Sequence, residues 1–191
     1  MSALRNLFLA AVSLFAAPDG LSYAETGEFP QTFFVQGLDI RVSEVELRRN
    51  GGYPKKGAAI HVTDGQRLIL DETYRIPGQL TGAWVTDMDR DDDPEITLWV
   101  RAYGSQGLGE FSLFELQGDY LTQHPFPRLT QEQAAGYAGD DRLTISASHL
   151  LHRFRTYEVG DRECCPTGPT AELIYGYDGT RVFVERYRRI D

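Results

Sequence analysis

The segment LTGAWVTDMDRDDDPEITLWVRAY, residues 80–103, decides the fold. Its two ends, residues 80–86 and 95–103, are short and rich in β-branched and aromatic side chains, as strands are. Between them, residues 87–93 are too polar to bury and too turn-prone to continue either strand. The segment reads strand, acidic turn, strand. The same reading extends in both directions. Residues 32–47 alternate apolar and polar through Phe34, Leu38, Ile40, Val42 and Val45, with Gly37 marking a bend. Residues 59–62 and 67–70 flank Asp64-Gly65, a strong hairpin signal. Toward the C-terminus, residues 110–116 and 120–123 flank Gly118-Asp119, and residues 171–177 and 181–187 flank Asp178-Gly179. Residues 143–148 and 150–157 supply one long strand or two short ones. The one helical stretch is residues 130–135, opened by a capping Thr130 and closed by Gly136. Eight or more short strands joined by Gly and Asp turns predict an all-β fold, an antiparallel β-sandwich with one short helix.

The N-terminal segment has another purpose. Residues 7–17 (LFLAAVSLFAA) form an uncharged, largely apolar run, follow the single positive charge of Arg5, and precede Ser22-Tyr23-Ala24. Such a run is too short to cross a hydrocarbon core of about 30 Å as a helix. Residues 1–24 therefore read as a signal peptide, and residues 25–191 as a single β domain without a membrane span, periplasmic or secreted. The formal net charge of −9 argues against nucleic acid, which selects basic surfaces, and suits a basic protein partner. Cys164 and Cys165 are the only two cysteines. Adjacent Cα atoms lie about 3.8 Å apart, closer than ordinary disulfide geometry. In an oxidising compartment the alternatives are a vicinal disulfide, pairing between chains in a homodimer, or two free thiols.

Two loops carry candidate chemistry. Asp87, Asp89, Asp91, Asp93 and Glu95 are spaced two residues apart, the spacing with which calcium loops wrap a hard cation in oxygens. The pattern is not an EF-hand: Asp92 stands where that loop needs Gly, and Leu98 where it needs a bidentate carboxylate. Calcium is the candidate cofactor, and a solvated acidic turn is the alternative. The second loop is Gly104, Ser105, Gln106, Gly107, Leu108 and Gly109, whose three glycines in six residues allow an unusual path between two strands. Enzyme chemistry finds no support. His61, His124, His149 and His152 lack metal-ligand spacing, no Gly-x-Ser-x-Gly elbow occurs, and the cysteine pair has no evident base.

A chain-wide resemblance joins these pieces. Residues 80–89, Pro94-Glu95-Ile96 and residues 100–105 resemble the central block of the periplasmic inhibitors of invertebrate-type (I-type) lysozyme. In the same order, Gly136-Tyr137-Ala138-Gly139-Asp140-Asp141, His152-Arg153-Phe154, Tyr157, Gly160-Asp161, Pro166-Thr167-Gly168 and the final hairpin are similar to that family's signatures. The match spans roughly residues 33–190. It implies a β-sandwich that plugs a lysozyme cleft with a loop, here Gly104 to Gly109, with Ser105 hydrogen-bonding a catalytic carboxylate. The family's Gly-Ser-Gly-Ser-Tyr-Gly loop is altered: Gln106 replaces a Gly, and Leu108 replaces the Tyr that would anchor an interface. The expected partner is an I-type lysozyme. The alternative is another envelope protein or glycan bound by the same fold without inhibition.

Overall fold

The computed structural model describes residues 28–47, 55–103, 108–146, 149–162 and 164–191. The signal reading of residues 1–24 lies outside them, as do Gly104, Ser105, Gln106 and Gly107. Twelve strands form among the described residues: β1 Gln31–Val35, β2 Leu38–Leu47, β3 Lys55–Asp64, β4 Arg67–Ile76, β5 Gly78–Thr86, β6 Glu95–Ala102, β7 Gly109–Gln117, β8 Tyr120–Pro125, β9 Arg142–Ser146, β10 His149–Arg155, β11 Thr170–Tyr177 and β12 Val182–Ile190. They make three antiparallel four-stranded meanders, β1-β2-β3-β4, β5-β6-β7-β8 and β12-β11-β10-β9.

Local chemistry sets the reversals. Gln36 and Gly37 both take positive φ (49° and 82°), the backbone of a tight hairpin turn, so the bend expected at Gly37 is a full reversal between β1 and β2. Gly65, Gly118 and Gly179 adopt φ of 60°, 66° and 78° at the three other turns. The stretch at residues 143–157 resolves as two strands, with Ser146 paired to His149.

The three antiparallel sheets stack in a sandwich-like arrangement. The middle sheet, β5 to β8, is covered on both faces. Six consecutive residues of β6, Glu95 to Val100, are buried. Strand alternation deals its side chains to two cores. Ile96, Leu98 and Val100, with Val85, Phe114 and Leu116, pack against Phe33, Ile40, Ile60 and Val62 of the first sheet. Trp84, Trp99 and Leu113 face the other way and pack with Leu150, Phe154, Leu173 and Tyr175 of the third. Each fully buried aliphatic or aromatic side chain contributes about 1.5–3 kcal/mol. Trp84 and Trp99 stack at 6.3 Å between ring centroids. The Trp84 ring lies over Gly82, where a Cβ would come within 2.7 Å of it, beside a register shift in β5.

The short helix expected at residues 130–135 is not formed; the segment is a run of turns. Its start signal is real: Thr130 Oγ1 accepts from Gln133 N–H at 3.2 Å, and Gln133 Oε1 accepts from Thr130 N–H at 2.9 Å. One helical hydrogen bond follows, Ala134 N–H to Thr130 C=O. Gly136 then enters the left-handed region (φ 77°) and ends the coil after one turn. No helix among the described residues is long and apolar enough to cross a membrane.

Candidate functional site

The connection between β6 and β7 leaves the middle sheet at Ala102 and returns at Gly109. Its ends are joined by Ala102 N–H donating to Leu108 C=O at 2.9 Å, and the outgoing end is tied to the β4–β5 junction by Tyr103 N–H donating to Pro77 C=O at 3.4 Å. Tyr103 and Leu108 are 58% and 40% exposed, an apolar pair at the root of the loop. The returning end is tied inward. Gly109 N–H donates to Asp141 Oδ2 at 2.7 Å, and a Cβ on Gly109 would meet Asp141 Cγ at 2.9 Å. Only glycine fits this approach without displacement.

Asp141 is itself buried and fully engaged. It accepts from the Tyr137 hydroxyl at 2.9 Å and from His152 Nε2 at 2.5 Å. Phe111 and Phe154 lie against the His152 ring, with centroids 4.7 and 5.1 Å away. Burial, and then the Asp141 charge, pushes the Tyr137 hydroxyl well above its ordinary pKa, so it stays a donor. With His152 2% exposed, the pair is sealed from solvent and supports the loop from below. Tyr137 and Asp141 belong to one sequence motif, and His152 and Phe154 to another; the fold brings the two together in one cluster. The other motifs make local contacts of their own. Gly168 N–H donates to Thr156 C=O at 3.0 Å, and Asp161 accepts from Glu158 N–H, Thr167 N–H and the Thr167 hydroxyl at 2.7–2.8 Å.

The acidic turn connects β5 to β6. Asp87, Asp89, Asp91 and Glu95 each bring a carboxylate oxygen within 4.8 Å of the others'. Asp93 falls outside this group and contributes its N–H, not its carboxylate, donating to Asp91 Oδ1 at 2.9 Å. Asp91 N–H donates to Asp87 Oδ1 at 3.1 Å. Arg90 and Asp92 take positive φ of 65° and 70°, so Asp92 makes the reversal for which the sequence offers no Gly. Glu95 is 0% exposed, and burial pushes its pKa up to about 8, with Asp87 and Asp89 adding in the same direction. Asp89 is also raised, by burial and then by Asp91 and Glu115.

Cys164 and Cys165 are joined in a vicinal disulfide at the surface. The histidines stay apart from one another: His149 lies 2.9 Å from Glu185, and His124 bonds Tyr177 and the Thr180 carbonyl. What sequence reading missed is the support around Asp141, for which the only signal was the run of motif residues; the pairing partners are 11 and 32 positions away.

No protein-family model, curated protein or solved structure matches this chain.

Proposed function

We propose that the chain is an exported, non-catalytic binding protein that inserts its β6–β7 loop into a partner's groove, acting as a lysozyme inhibitor. The observation that carries this reading is the mounting of the loop. The exposed pair Tyr103 and Leu108 stands at the end of a sheet buried on both faces, and Gly109 is pinned to the buried Asp141. A rigid base lowers the ordering cost of binding. Tyr103 is the kind of side chain that anchors interfaces, and Leu108, in place of the tyrosine of the inhibitors this chain resembles, adds apolar contact area. The choice of an I-type lysozyme rests on that resemblance, and the net charge of −9 favours encounter with a basic enzyme. A catalytic reading has less support, because the close pair Asp141–His152 is buried and committed to holding Gly109 and Tyr137.

The test is inhibition and calorimetric binding against I-, C- and G-type lysozymes. We expect inhibition of the I-type enzyme, weakened roughly tenfold by Leu108→Ala and by Ser105→Ala, since a lost interface anchor costs about 1–2 kcal/mol. Absence of both inhibition and binding at micromolar protein would remove the proposal.

A further inference from the structure

The β5–β6 turn holds a buried carboxyl group whose hydrogen-bonding capacity the protein leaves partly unanswered. Glu95 Oε2 accepts from the Thr86 hydroxyl at 2.9 Å and from Met88 N–H at 2.8 Å. Its other oxygen, Oε1, is buried with no hydrogen-bond partner, and so is Asp89 Oδ1. Asp89 and Asp87, both of its own sign, act on Glu95. A buried carboxylate with a free oxygen and like charges beside it is costly unless a cation completes it.

We infer that this turn binds one calcium ion, with Asp87, Asp89, Asp91 and Glu95 supplying carboxylate oxygens. The donor set is all oxygen, with no nitrogen or sulfur ligand in the group, which selects a hard cation over zinc or copper. The number of carboxylates also discriminates. Calcium takes six to eight oxygen ligands in flexible geometry, whereas magnesium keeps several waters and is held by one or two carboxylates. Four carboxylates converging on one turn favour calcium.

The position of the turn gives the ion a role. Gln36, in the β1–β2 turn of the first sheet, donates to Asp87 Oδ2 at 3.4 Å. Gly179, in the β11–β12 turn of the third, lies so close that a Cβ there would stand 2.8 Å from Asp89 Oδ2. Turns from all three sheets therefore meet at this cluster. A bound ion clamps one end of the stack.

Chelator-stripped protein titrated with calcium chloride or magnesium chloride, followed by calorimetry and thermal melting, tests the inference. With a dissociation constant of about 0.1–1 mM, typical of extracellular calcium modules, 10 mM calcium raises Tm by about 3–10 °C, and magnesium at equal ionic strength by much less. Glu95→Gln raises the Tm of the calcium-free protein and abolishes the calcium response. Those opposite signs are not expected of a merely structural residue. Asp91→Asn, an exposed change that leaves both cores untouched, weakens calcium binding at least tenfold, whereas Asp93→Asn retains it. Equal shifts with the two metals, no shift with either, or an undiminished calcium response in Asp91→Asn overturns the inference.

Discussion

Asp141 shows how much one side chain can organise. Three donors from three parts of the chain converge on it: the Gly109 amide, the Tyr137 hydroxyl and the His152 ring. Asp141→Ala leaves all three without their acceptor in a site closed to water. We expect a loss of about 3–5 kcal/mol, the cost of removing one member of a buried charged network. Urea denaturation measures it, and a loss under 1 kcal/mol would mean that water or neighbouring groups replace the carboxylate. The carboxylates of the acidic turn were legible in the sequence because they are adjacent along it. Asp141 was legible only as part of a motif, since what gives it meaning is 32 residues from Gly109 and 11 from His152. Asp93 failed for a local reason: a turn that uses its amide to bond Asp91 orients the residue for that bond.

Among the elements, β10, β11 and β12 share a cross-strand arrangement. Glu172 of β11 pairs in register with Arg153 on one side and Arg188 on the other. Its buried carboxylate accepts from Arg153 Nε at 2.6 Å and Arg188 Nε at 2.5 Å. Burial alone would raise the Glu172 pKa, but the two guanidiniums outweigh it and hold the group below its ordinary value of 4.5. A depressed folded-state pKa gives stability that is complete above the unfolded value and lost as pH falls through the folded one. Wild type should therefore exceed Glu172→Gln by about 1–3 kcal/mol at pH 7. The gap should narrow as pH falls through the lowered folded-state pKa and the carboxyl protonates. Urea midpoints at pH 7 and pH 3 check this, and a gap unchanged between them contradicts it. Hairpins were the most readable elements, because Asp64-Gly65, Gly118-Asp119 and Asp178-Gly179 carry their turn chemistry locally. The segment at residues 130–135 carries an equally local capping signal, yet Gly136 stops it after one turn. A cap starts a helix; only a longer run with a buried face sustains one.

Across the whole molecule, two cores share one sheet, and this was the least readable level. Each face of β6 looks ordinary alone; the sign of double coverage is the run of residues 96–100, apolar except for Thr97. Which sheet covers which face depends on contacts far apart in sequence. Sharing has a thermodynamic effect. Ile60→Ala lies in the first core and Leu173→Ala in the second, and each should cost about 2–5 kcal/mol. Because the middle sheet cannot keep one face packed while the other dissolves, we expect a single transition in both variants. Trp84 and Trp99 lie only in the second core, so fluorescence reports that core and far-ultraviolet circular dichroism reports all three sheets. Separate midpoints for the two signals in Ile60→Ala would show that the cores unfold independently.

Three open sheets also leave six lateral strands, each with a row of backbone donors and acceptors that another chain could extend. The outermost, β12, carries Glu185, Arg186, Arg188 and Arg189 within nine residues. A second copy aligning there would set like charges side by side, so fibre growth along this margin is opposed. The short β1, with five residues directly after Pro30, offers little template at the opposite margin. Two of the six borders thus resist extension by another chain, while the central sheet stays as apolar as its two neighbours require.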